Sequence, residues 1–164
     1  MLSGNEIFPG TLLVISSITD LARGKIFNVI TLPFLCLGIA LAFASSLRNG
    51  GESLFAVTLA FCLLFPLYRI HVFAAGDVKL LMAYGAWSQP KEVLVLTILA
   101  VLIGAAVGGI VLARYAGLRG GLLSLATHAT PGKARVSHRM PFAPAFFCAF
   151  LLTRIAEIYR WPLY

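Results

Sequence analysis

From residue 93 to residue 113 the chain carries no charged side chain. At about 1.5 Å of rise per residue, a helix over that stretch crosses the roughly 30 Å of hydrocarbon in a bilayer. Other apolar segments cover residues 7–19, 26–47, 53–68, 78–87 and 140–158. The chain is 60% hydrophobic and 12% charged, where soluble domains carry about 25% charged residues. A soluble domain of this size has no core large enough to hide so much apolar surface. Lipid accepts it if the backbone satisfies its own hydrogen bonds, as helices or as a closed barrel. Long apolar runs without strict alternation select helices. The expected fold is therefore all-α: one polytopic membrane domain over residues 1–164, with about six transmembrane helices.

The segments differ in length, and the differences carry information. The first is short for a span, so its helix is expected to continue through Asp20 to the membrane edge. Arg48-Asn49-Gly50-Gly51-Glu52 reads as a tight polar turn after the second. After Gly76-Asp77 only residues 78–87 remain before the polar Ser88-Gln89-Pro90-Lys91-Glu92. The fourth helix is thus expected to be short and to start at Gly76-Asp77. Residues 114–139 form the longest polar section, with Gly117, Gly120, Gly121, Pro131 and Gly132 as breakers. Inside it, residues 122–125 are too short to span and fit the interface. Gly104 and Gly108 have the spacing that allows close helix approach, and Trp161 and Tyr164 suit interfacial anchoring. Residues 1–6 lack the basic region of a signal peptide, so the first segment is expected to be retained.

The net charge of +7 reads as topology, with the lipid bilayer as partner and no nucleic acid. If the six segments alternate across the membrane, one side holds Arg23, Lys25, Arg69, Lys79, Arg114, Arg119, Lys133, Arg135 and Arg139. The other holds Arg48, Lys91 and Arg160, with Arg154 near the end of the last helix. Positive charge collects in the cytoplasm. Both termini are then outside, and Asp20 and Asp77 both lie at the cytoplasmic membrane edge.

A carboxylate beside hydrocarbon costs a few kcal/mol, so an intramembrane aspartate calls for a function and a partner. Two aspartates at equal depth suit water activation for peptide hydrolysis. Carboxylates close together cannot both ionise, so one acts as base on a water and the protonated one donates to the scissile carbonyl. Gly76, lacking a Cβ, would let a substrate backbone come close. Competing readings are ion pairing of Asp20 with Arg23 or Lys25, N-capping by Asp77, and Lys79 reaching toward phosphate head groups. Glu6, Glu52, Glu92 and Glu157 fall near outer segment ends and read as solvated. Cys36, Cys62 and Cys148 lie in apolar segments without a Cys-x-x-Cys pair and read as buried thiols, with no metal site or cofactor expected. Paired carboxylates also fit an ion- or proton-coupled transporter, or a non-catalytic assembly component in which they only hold helices together.

Ala74-Ala75-Gly76-Asp77 resembles the Gly-x-Gly-Asp signature of the type IV prepilin peptidases, aspartic proteases of the bacterial inner membrane. Val78-Lys79-Leu80-Leu81, Gly85 and Trp87 are similar to its continuation. Asp20 followed by Ile26-Phe27-Asn28 resembles the family's first catalytic aspartate and its Ile-Pro-Asn element. Met140-Pro141-Phe142-Ala143-Pro144 is similar to its last helix start. Ala74 stands where the family has glycine, and Phe27 where it has proline. The resemblance implies catalysis by Asp20 and Asp77, support from Gly76, Asn28, Ala74 and Lys79, and no cofactor. It also implies a prepilin substrate with a basic leader and an apolar helix. Large members carry a zinc-binding loop between the first two helices; this chain has only Asp20-Leu21-Ala22-Arg23-Gly24-Lys25 there and resembles the compact tight-adherence (Flp) subfamily.

Overall fold

The computed structural model describes residues 4–70, 73–126 and 142–158. They form six helices, α1 (Gly4–Arg23), α2 (Asn28–Ser45), α3 (Leu47–Arg69), α4 (Ala75–Gly85), α5 (Pro90–Ala126) and α6 (Ala143–Ile158), with no strand among the described residues. The all-α expectation holds. Among the described residues, three helices are long and apolar enough to cross a membrane: α2, α3, and α5 over Pro90–Ile110. Met140, Pro141, Pro131, Gly132, Lys133, Arg135, Arg139, Arg160, Trp161 and Tyr164 lie outside the described residues.

The polarity of α1 is the reverse of that of a helix on a soluble protein. Pro9, Leu12, Leu13, Ser16, Ser17 and Asp20, spaced three and four apart, form its buried face. Ile7, Phe8, Val14, Ile15, Ile18 and Leu21 are exposed. Residues three and four apart share one helix face, so the serines and the carboxylate point inward while the aliphatic side chains point toward lipid. The thiols of Cys36, Cys62 and Cys148 follow the same rule: they are free but exposed, not buried as expected. Their helices turn an apolar surface outward, where a small apolar thiol is no liability.

The short helix α4 is the hub of the bundle, packing against α1, α2, α3 and α5. Val78, Leu80, Leu81, Ala83 and Tyr84 are all buried, as befits a helix that is apolar on most sides. It begins within one residue of the expected start. Eleven residues give it about 16 Å of length, half of the hydrocarbon thickness. Its last carbonyls therefore need partners at depth. Ser53 Oγ donates to Ala86 O at 2.9 Å, while Trp87 Nε1, just past the helix, donates to Phe34 O at 2.9 Å and so pins this end to α2. The chain then turns, and α5 starts at Pro90, where a missing N–H costs nothing. Beyond the end of α4 a polar-walled recess of about 350 Å³ remains, with Asn49, Glu52, Ser88 and Gln89 in its wall.

Two expected breaks are helical instead. Arg48-Asn49-Gly50-Gly51-Glu52 lies within α3, and the whole junction with α2 is one extended residue, Ser46, whose Oγ accepts from Asn49 N at 3.1 Å. Gly50 is there because a Cβ would run into the Phe43 ring of α2. Likewise α5 continues through Gly117, Gly120 and Gly121 to Ala126, taking in residues 122–125. A glycine inside a helix costs about 1 kcal/mol relative to alanine but does not end it when good helix formers surround it. Gly104 makes room not for another helix axis but for the Phe142 ring at the start of α6.

Glu92 and Glu157 are not simply solvated either. Arg154, buried in α6, has Nη2 3.6 Å from Glu92 and Nη1 2.7 Å from Glu157, with its guanidinium over the Phe150 ring. This network ties α5 to α6 at the end of the bundle opposite the aspartates.

Candidate active site

Asp20 comes from the last turn of α1 and Asp77 from the first turn of α4, and both are buried, at 8% and 3% exposure. They line one cavity of about 190 Å³, together with Gly24, Lys25, Ile26, Ala74, Ala75 and Gly76. Each carboxylate is oriented by a backbone N–H at a helix start. Ala143 N, at the first position of α6, donates to Asp20 Oδ2 at 3.1 Å. Ala74 N donates to Asp77 Oδ2 at 2.9 Å. The first N–H groups of a helix have no partner inside it, and the dipole there favours negative charge. Asp77 is therefore not the N-cap of α4, which is Ala74, but the third helical residue reaching back to it. Asp20 bonds the backbone of α6 instead of pairing with Arg23 or Lys25.

The α1–α2 connection forms the wall facing α4. Gly24 sits at φ +61°, a left-handed conformation that ends α1, with its N–H donating to Asp20 O at 2.8 Å. Ile26 then folds against Gly76, where a Cβ would stand 3.1 Å from Ile26 Cβ. Glycine at 76 thus admits the chain's own loop. Asn28 and Lys79 meet each other, Lys79 Nζ donating to Asn28 Oδ1 at 3.0 Å, and neither lines the cavity. Two contributors were not singled out from sequence. Lys25 lines the cavity, and the shortness of its link to Asp20 was the available signal. Ser17, one turn before Asp20, bonds Ala143 O at 3.0 Å and helps fix α6 against α1.

Two buried carboxylates on one cavity, held by fixed dipoles and walled by a short loop, have the parts needed for acid–base chemistry on a bond brought to them. A family model, Peptidase_A24, described as the type IV leader peptidase family, matches residues 7–109. That is well over half of the chain. The chain belongs to the type IV leader peptidase family. A comparison with curated proteins and one with solved structures return no match.

Membership supports a leader-peptidase role in general, and with the apolar helices it makes this a membrane protein. The matched region contains every residue of the aspartate cavity. It stops short of Ala143, so the family pattern covers the two carboxylates but not the backbone amide that orients Asp20.

Proposed function

We propose that this member of the leader peptidase family is an aspartic endopeptidase that removes the leader from Flp-type prepilins at the cytoplasmic edge of the bacterial inner membrane. The observation that carries the reading is the single cavity shared by Asp20 and Asp77. One proton serves the pair, because two buried carboxylates on one cavity do not both stay charged. The ionised carboxylate takes a proton from a water as its oxygen attacks the scissile carbonyl carbon. The protonated carboxyl donates to the carbonyl oxygen, and the resulting diol collapses as the leaving nitrogen is protonated. Amides at the starts of α4 and α6 hold both side chains in place without reorganisation during the reaction.

Support for the compact subfamily comes from the α1–α2 connection, only residues 24–27 long, which leaves no room for a metal-binding insertion. The cytoplasmic assignment is supported by Arg23, Lys25, Arg69 and Lys79 at the aspartate end, against Arg48 and Lys91 at the other. A leader that is basic and stays in the cytoplasm, followed by an apolar helix in the bilayer, presents its scissile bond at that depth. Asn28 and Lys79 support the site at one remove, by joining the start of α2 to α4. Co-expression with an Flp-type prepilin tests the reading. Wild type should shorten the pilin, while Asp20→Ala and Asp77→Ala, inserted in the membrane at equal levels, should leave it uncut. Processing by both variants at the wild-type rate overturns it.

A further inference from the structure

Beside the aspartate cavity lies a second hollow of about 300 Å³, between α2, α3 and α4. Its walls are Leu32 and Leu35 from the first turns of α2, Phe61 and Phe65 from the last turns of α3, and Val78 and Met82 from α4. Ala75 lines both this hollow and the aspartate cavity, so the two adjoin at the first residue of α4. The hollow opens sideways: Leu32, Phe61, Phe65 and Tyr68 are exposed on the outer surface of the bundle. Its polar side chains collect at one end. Lys79, bonded to Asn28, lies within a turn of Ala75, and the walls deeper along α2 and α3 are aliphatic or aromatic.

From this arrangement we infer that the groove between α2, α3 and α4 receives the apolar helix of the substrate, sliding in from the bilayer on the C-terminal side of the bond to be cut. The inference rests on the leader-peptidase reading above and adds where specificity for a membrane-embedded substrate resides. The occupant follows from the shape. A surface open to lipid, adjoining the aspartate cavity and polar only near it, matches a segment that is apolar in the membrane and polar where it leaves. Ridges of one helix settle into the hollow between two others in the same way as in membrane bundles generally. Lateral arrival also explains how a substrate already inserted reaches a buried carboxylate pair without leaving the bilayer.

The test uses the full-length protein in proteoliposomes with a full-length Flp-type prepilin. Photoreactive p-benzoylphenylalanine replaces Phe61 or Leu32 in the groove, and Leu102 or Ile155 on the remote surface of α5 and α6, each in an Asp77→Asn background that traps substrate. Cross-linking to prepilin should be at least tenfold stronger from the groove positions. In the otherwise wild-type protein, Leu32→Trp should fill the groove, raising KM about tenfold with kcat and the thermal midpoint little changed. Equal cross-linking from all four positions, cross-linking of the groove to lipid only while wild type still cleaves, or an unchanged KM in Leu32→Trp overturns the groove assignment and leaves the peptidase reading standing. Failure of the wild type to cleave removes the peptidase reading and the groove assignment with it.

Discussion

The carboxylates of Asp20 and Asp77 each meet the amino end of a helix, and they arrive there by different routes. Asp77 bonds the N-cap amide of its own helix, whereas Asp20 bonds the first amide of α6, 123 residues further along the chain. That the two aspartates share one end of the bundle was legible in the sequence, because segments that alternate in direction bring the end of the first and the start of the fourth to the same side. Ala143 was not, since a backbone amide has no sequence signature and its helix is far away in the chain. Gly76 was legible as a close approach, but the approaching group is Ile26. Gly76→Ala should therefore push the α1–α2 loop outward and lower kcat/KM several-fold. Thermal stability should hold or rise, because alanine favours helix over glycine; a fall in the melting midpoint parallel to activity would show a merely structural effect. The shared proton adds a second expectation, a bell-shaped dependence of kcat/KM on pH. Activity falls on the acid side as the base is protonated and on the alkaline side as the acid loses its proton. A profile flat on one side would mean that only one carboxylate titrates in the reaction.

Among the helices, the end of α1 and the start of α4 lie close to where the sequence puts them, whereas two expected breaks are absent. α1 ends at Arg23, just before Gly24, and α4 starts at Ala75, one residue before Gly76. Gly50 and Gly117, by contrast, lie inside helices. At Gly50 the reason is the Phe43 ring, a contact between helices that local sequence does not display. The same limit hid the Arg154 network, whose members Glu92 and Glu157 look like solvated end charges until α5 and α6 are packed together. Removing one partner of a buried ion pair strands the other. Arg154→Ala should cost about 3 kcal/mol in unfolding experiments in detergent. Arg48→Ala breaks an exposed pair with Glu52 and should change stability by no more than about 0.5 kcal/mol. Equal effects of the two substitutions would mean that the Arg154 site is as wet as the surface.

At the scale of the whole molecule, the bundle exposes many large apolar side chains and buries Asp20, Asp77 and Arg154 with a few serines and threonines around a helix of half length. Hydropathy made the membrane setting and the all-helical class plain, because no other solvent tolerates that surface. It said nothing of how α4 ends, which depends on Ser53 of α3 donating to Ala86 O and on Trp87, just past the helix, donating to Phe34 O of α2. The short hub also brings the start of α4 against the end of α1, so that two carboxylates far apart in sequence share one cavity. The central claim is that these two act as one unit. Purified protein carrying Asp20→Asn, Asp77→Asn or both, assayed for leader cleavage in proteoliposomes, tests it directly. Each single variant should lose at least about 10²-fold in kcat/KM, and the double variant should lose no more than the worse single, as residues that act together do. Either single variant retaining a rate near that of wild type, or losses that multiply in the double, would contradict the account.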